Sequence, residues 1–302
     1  GPRMTAPVVV GYTATDTGAD ALALGIRLAR AIGAPLEVAL VLPDDARSVI
    51  TPPDAAYARL VAEQAERWLA EAAATIRDAV PHREHLRHAD SFAEGLLGFA
   101  DEIGAGYIVV GAANGGLRGR HRLGTVASEL LHSSDVPVVL APEGSRRVDP
   151  AVGISRVTAA IGSRPGADVL REESIALSAA ASVPLRLLSL VTVDLPPGLE
   201  TGAIRIAGAR HAEEVLSQAR VELPSDVAAE VVVADGDSIE EAVRDLPWDP
   251  AELVMVGSSR LAQPRRLFLG STAAKMLHEL PVPLVVVPRS RADVSTPEGS
   301  RP

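Results

Sequence analysis

The residues best placed to do chemistry lie in two stretches of matching layout. Residues 109–131 read VVGAANGGLRGRHRLGTVASELL, and residues 254–277 read VMVGSSRLAQPRRLFLGSTAAKML. Each runs from an apolar segment through a glycine and a basic spacer to Gly-Thr or Gly-Ser at the start of a helical pattern. Glycine lets the main chain turn sharply and come close to a ligand. A helix start offers unpaired N–H groups and a partial positive charge, which suits phosphate. Thr125 and Ser271 can cap the helix or present a hydroxyl to phosphate. Gly111 with Gly124-Thr125, and Gly257 with Gly270-Ser271, are therefore candidate phosphate-cradling groups. The first spacer holds Arg118, Arg120, His121 and Arg122, the second Arg265 and Arg266, in a chain of net charge −10. Such a local excess draws an anion. Solvated arginines paired with acidic neighbours are the alternative reading.

The elements that must position these loops occur twice. GADALALGIRLARAIGAPLEVALV from Gly18 matches GADVLREESIALSAAASVPLRLLSLV from Gly166, and GTVASELLHSSDVPVVLAP matches GSTAAKMLHELPVPLVVVP. Pro35 and Pro184 are 149 residues apart, and Gly124 and Gly270 are 146 apart. The reading gives domains at 4–142 and 155–288, a polar linker at 143–154 and a disordered tail at 289–302. Within each half, apolar strands alternate with amphipathic helices. Asp16 or Thr17 is expected to cap a first helix ending at Ile32. Tyr57, Val61, Ala65, Trp68, Ala72 and Ile76 are expected to form one apolar stripe on a long second helix. Runs such as Ile108–Val110 are apolar without alternation, as in strands covered on both faces. Two tandem doubly wound α/β domains with parallel sheets follow. In such sheets ligands bind beyond the carboxyl ends of the strands, where the strand order reverses.

Composition narrows the function. Hydrophobic residues make up 47% and aromatics 3%, so a large core must be built from Ala, Val, Leu and Ile. The acidic balance argues against nucleic acid as a partner. The absence of cysteine removes disulfides and thiolate chemistry and fits a cytoplasmic protein. No apolar run approaches the roughly 18 residues of a membrane helix, and the first residues show no basic-then-apolar leader. No G-x-S-x-G elbow, H-E-x-x-H pair or Walker loop occurs, so catalysis is not expected. His132 and His278 fall near equivalent helix ends, where a dipole contact is the plainer role.

The spacing Gly111-x2-Asn114-x9-Gly124-Thr125, and Gly257-x2-Arg260-x9-Gly270-Ser271, resembles the universal stress protein signature G-x2-G-x9-G-(S/T). The flanking YIVVGA and ELLHSSDVPVVLAP agree, and the resemblance covers both halves. It is similar to the tandem members common in actinobacteria. The resemblance implies a Rossmann-like five-stranded parallel sheet in each half, of order 3-2-1-4-5. It also implies an adenine nucleotide, ATP foremost, with magnesium as an optional companion, held by the glycine loop. It further implies pairing of the halves through VPVVLAP and VPLVVVP, with further homodimerisation open and the protein partner unknown. In that strand order REHLRHA is an edge strand, and its charges guard an edge. His82, His85 and His88 on it do not close a three-ligand metal site.

The match fails at four places. Asn114 and Arg260 replace the second glycine. Thr13 and Gly162 stand where nucleotide-binding members carry an aspartate, a loss of about 0.5–1.5 kcal/mol if nothing replaces the acceptor. Asp16 is a candidate replacement. Val41 and Leu190 fall at the positions whose backbone faces adenine. Asn tolerates a positive φ, and Gly115 and Gly116 follow it, so the first half is the better-equipped site. Three functions stay in play: a non-catalytic nucleotide-binding stress-response protein, a degenerate interaction module, and a weak ATPase.

Overall fold

The computed structural model describes residues 6–44, 55–112, 124–161, 167–192, 202–258 and 271–289. The first half runs β1 (Val8–Gly11), α1 (Asp16–Ile32), β2 (Leu36–Pro43), α2 (Ala55–Ile76), β3 (His82–Ala89), α3 (Phe92–Ile103), β4 (Tyr107–Gly111), α4 (Thr125–Ser133) and β5 (Val138–Ala141). The second runs β6 (Arg156–Ala160), α5 (Ala167–Ala181), β7 (Leu185–Thr192), α6 (Gly202–Val221), β8 (Ala229–Gly236), α7 (Ile239–Arg244), β9 (Glu252–Gly257), α8 (Ser271–Glu279) and β10 (Leu284–Val287).

Each half has parallel strands in the order 3-2-1-4-5, and among the described residues the two sets form one ten-stranded sheet. They join where β5 meets β10 antiparallel, with Val139 opposite Val285. Two apolar β-branched strands, each covered on both faces, lose little by exchanging an open edge for a partner of the same kind. Odd and even positions of β1 serve different layers. Val8 and Val10 belong to the apolar layer that holds α1, α2, α5 and α6, and Val9 to the one that holds α3, α4, α7 and α8. Both layers cross the junction between halves.

Local signals differ from the sequence expectation in three places. The cap of α1 is Thr15, whose side chain accepts from the Gly18 N–H, rather than Asp16 or Thr17. On α2 the buried positions are Ala65, Leu69, Ala72 and Ile76, whereas Tyr57 is 63% exposed. The stripe thus meets the sheet only in the last three turns. The segment between the halves is not a plain tether. It forms 3-10 turns at Ser145–Arg147 and Pro150–Val152, and both pack on α1. The tail beyond Arg289 lies outside the described residues.

Candidate functional site

The candidate site is the crevice where strand order reverses, between β1 and β4 of the first half. Parallel crossovers bring the starts of α1 and α4 to the carboxyl ends of these strands, one from each layer. The close fit here depends on two glycines. A Cβ on Gly18 would lie 1.8 Å from the Thr13 carbonyl oxygen, and one on Gly111 would lie 2.2 Å from that of Thr17. Only glycine lets the first turn of α1 settle against the ends of β1 and β4.

The N-termini of the helices are not alike. Those of α1, α3 and α7 are capped by the side chains of Thr15, Ser91 and Ser238, and each has an acid in its first turn. Helix α4 starts at Gly124, which gives no side-chain cap, and its first turn has no acid. The first turn of α8 also has none. A helix start without its own cap or carboxylate keeps its partial positive charge for another anion. Helix α4 opens with Gly-Thr and α8 with Gly-Ser; α2 and α6 likewise have no acid in the first turn.

Around the first crevice, Thr13 is half-buried and its hydroxyl lies 2.8 Å from that of Thr15. Thr15 Oγ1 in turn accepts from the Gly18 N–H at 3.2 Å. Thr125 is exposed at the start of α4. Gly111 pairs with Ala141, and the Ala112 N–H donates to the Ala141 carbonyl at 2.8 Å. Val41 on β2 turns its buried side chain toward Gly95 of α3. Asp16 does not stand free as a replacement acceptor: its carboxylate is 3.6 Å from the guanidinium of Arg146.

The second crevice is built differently. Among the described residues, a Cβ on Gly257 would find the Leu170 side chain, at 3.9 Å; residues 162–166, which hold the counterpart of Thr17, lie outside them. Leu190 on β7 is half-buried against the layer of α7 and Trp248. Ser271 is the first residue of α8. Asn114, Gly115, Arg118, Arg120, Gly162, Arg260 and Gly270 lie outside the described residues, as do His121, Arg122, Arg265 and Arg266.

Two of the histidines of β3, His82 and His85, serve local contacts. His85 Nε2 lies 2.7 Å from the buried Glu37 carboxylate, which also accepts from Arg83 at 2.9 Å. His82 Nδ1 lies 2.5 Å from Glu84. Among the described residues no group of three or more His, Asp or Glu is placed to hold a metal ion. His132 and His278 stand in the last turns of α4 and α8. No described helix is long and apolar enough to cross a membrane.

Sequence reading missed Thr15, Thr17 and Asp20 as parts of this wall, and Arg146 beside it. The alternating hydroxyls of Thr13-Ala14-Thr15-Asp16-Thr17 ahead of Gly18 were a usable signal for the first two. Asp20 is fully buried and its carboxyl is held above the ordinary aspartate value by burial, against the opposing effect of Arg146. Nothing in EGSRRVDP marks Arg146 as its partner.

Comparison with known proteins adds to this geometry. The sequence profile described as "Universal stress protein family" matches residues 4–142 and 153–288. A universal stress protein of Mycobacterium tuberculosis strain H37Rv is 32% identical over 303 residues, covering 93% of this chain and 99% of its own. One from Mycobacterium bovis matches to the same extent. The crystal structure of a universal stress protein from Archaeoglobus fulgidus DSM 4304 covers 94% of this chain and 98% of its own. Its TM-score is 0.63 at 18% identity, a likeness of fold.

Proposed function

The chain belongs to the universal stress protein family, and from that premise we propose that it binds an adenine nucleotide without turning it over, as a cytoplasmic stress-response or signalling protein. The first half is the site. The observation that carries this reading is the start of α4, uncapped and free of acid, in a protein whose α1, α3 and α7 have both cap and acid. Phosphate takes the first-turn N–H groups of α4, with the Thr125 hydroxyl beside them. The tight α1 wall, set by Gly18 and Gly111, fixes the sugar side. ATP supplies the negative charge, with magnesium as an optional companion. The sequence carries no catalytic motif of the elbow, zincin or Walker kind, so turnover is not part of the reading.

Calorimetric titration of the full chain with ATP, AMP and cyclic AMP tests it. Micromolar to low-millimolar binding with a rise in melting temperature is the expected result, lost in Gly124→Val. One observation favours the degenerate module instead: the hydroxyl of Thr13, which stands in place of the aspartate, is already engaged by Thr15. No heat and no change in melting temperature at millimolar nucleotide establishes that second reading. Steady phosphate release abolished by Gly124→Val would establish a weak ATPase.

A further inference from the structure

We propose that Arg146, from the segment joining the halves, is a positioning residue of the first-half site, and that docking of this segment is coupled to occupancy of the site through Asp20. The inference rests on the nucleotide reading above and adds a regulatory contact to it.

One arginine gathers the parts around the crevice. Its backbone N–H donates to Asp20 Oδ1 at 2.8 Å, and Nη1 donates to both Asp20 oxygens at 3.1 Å. Nη2 donates to Glu143 Oε1 at 3.0 Å and lies 3.6 Å from Asp16. Asp16 and Asp20 are four residues apart, so they share one face of α1. That same turn presents Thr17, whose carbonyl abuts Gly111. Glu143 follows Ala141, the β5 residue paired with Gly111. Arg146 thus ties the first turn of α1 to the exit of β5 on either side of Gly111.

The joining segment has a second hold farther along α1. The buried Arg27 donates through Nε and Nη2 to the Gly153 carbonyl, both at 3.2 Å, and β6 begins at Arg156. A ligand that moves the first turn of α1 must move Asp20. A fully buried carboxylate cannot leave its guanidinium without a large desolvation cost, so the joining segment must follow. Coupling of this kind is reciprocal. The second half lacks the arrangement among the described residues. Asp168, which takes the place of Asp20 in the repeat, is exposed and pairs with Arg171 of its own helix.

The test uses the full chain and ATP, with melting curves run on every variant. Hydrogen exchange of amides 143–153 is followed with and without saturating ATP, and affinity is measured by calorimetry. Expected results are slower exchange on ATP in the wild type and affinity at least about fivefold weaker in Arg146→Ala. Arg146→Lys recovers part of it, keeping the charge but losing the fork. Arg27→Met, which removes the hold on Gly153 but keeps the Arg146–Asp20 contact that carries the coupling, leaves affinity unchanged. Wild-type affinity in Arg146→Ala would overturn the proposal while leaving nucleotide binding intact. So would exchange across 143–153 that ATP does not change in the wild type, a measurement that needs no variant to fold. A wild type that takes up no ATP at all would remove the nucleotide reading and this one with it.

Discussion

In the first half a fully buried carboxylate, Asp20, sits where α1 begins, beside the strand ends that form the crevice. In the second half the fully buried carboxylate is Glu252, at the opposite end of the sheet where β9 starts. Glu252 accepts from Arg156 at 2.8 and 2.9 Å, from the buried Arg186 at 2.9 Å, and from the Thr158 hydroxyl. The Arg186 guanidinium also lies 5.0 Å from the centre of the Trp248 ring. At the crevice ends Gly111 meets the Thr17 backbone, whereas among the described residues Gly257 meets one leucine methyl group at contact distance. The repeat preserved strand order and core. Side chains at the strand ends diverged: the first copy has buried Asp20 beside the candidate crevice as well as buried Glu37 at the far end, and among the described residues the second has its buried carboxylate, Glu252, at the far end.

The strongest way to separate the halves is to break the second network. Glu252→Ala leaves two arginines, one of them buried, without their carboxylate. A loss of about 3–5 kcal/mol is expected in urea unfolding, with ATP affinity of the remaining folded protein unchanged. Loss of binding in folded Glu252→Ala would show that the two ends are not independent. Next in size is a paired substitution at the crevices. Gly111→Ala drives a methyl group into backbone and should cost about 1–3 kcal/mol, together with nucleotide binding. Gly257→Ala should stay within about 0.5 kcal/mol of the parent. Equal costs would erase the contrast between the crevices.

How much of this was legible beforehand follows from the range of each interaction. The repeat, the strand order and the Gly-Thr start of α4 rest on local pattern and on a family signature, and the fold bears them out. The Thr15 cap was missed by one or two residues because Ser, Thr and Asp all satisfy the same N–H groups, and three candidates stand in a row. Arg146 with Asp20, and Arg27 with Gly153, each join residues 126 positions apart. No periodicity encodes such a pair. The exposed Tyr57 marks another limit: a helical stripe tells which face is apolar, not where the neighbouring layer stops.

A smaller effect sharpens what Asp20 contributes. Burial raises its carboxyl above the ordinary 3.8, with Glu143 adding to the rise, while the N–H and guanidinium of Arg146 pull it down. The unfolded chain therefore loses this proton at lower pH than the folded one. Between the ordinary aspartate range and the raised value, the folded state binds more protons, so stability falls as pH rises. Asp20→Asn removes that ionisation. The stability of Asp20→Asn relative to the parent should rise with pH across this window in parallel unfolding curves. A difference that moves the other way would mean that Arg146 outweighs burial, and that the pair stabilises the fold rather than only fixing its geometry.

The smallest effect tests the junction of the halves. Tyr107 opens β4 and is 2% exposed, and its hydroxyl has no hydrogen-bond partner among the described residues. Burial pushes its phenol well above the ordinary tyrosine value, and Glu173 of α5 in the other half adds to this. The repeat places the apolar Leu253 at the matching position of β9. A buried hydroxyl without a partner carries a desolvation cost that phenylalanine of the same shape does not. Tyr107→Phe should therefore leave stability unchanged or raise it by up to about 1 kcal/mol, read as the urea midpoint at constant slope. The outcome turns on desolvation against a lost bond: a clear loss of stability would mean that the hydroxyl is bonded at the seam, making the junction polar in the first half where the second half is apolar.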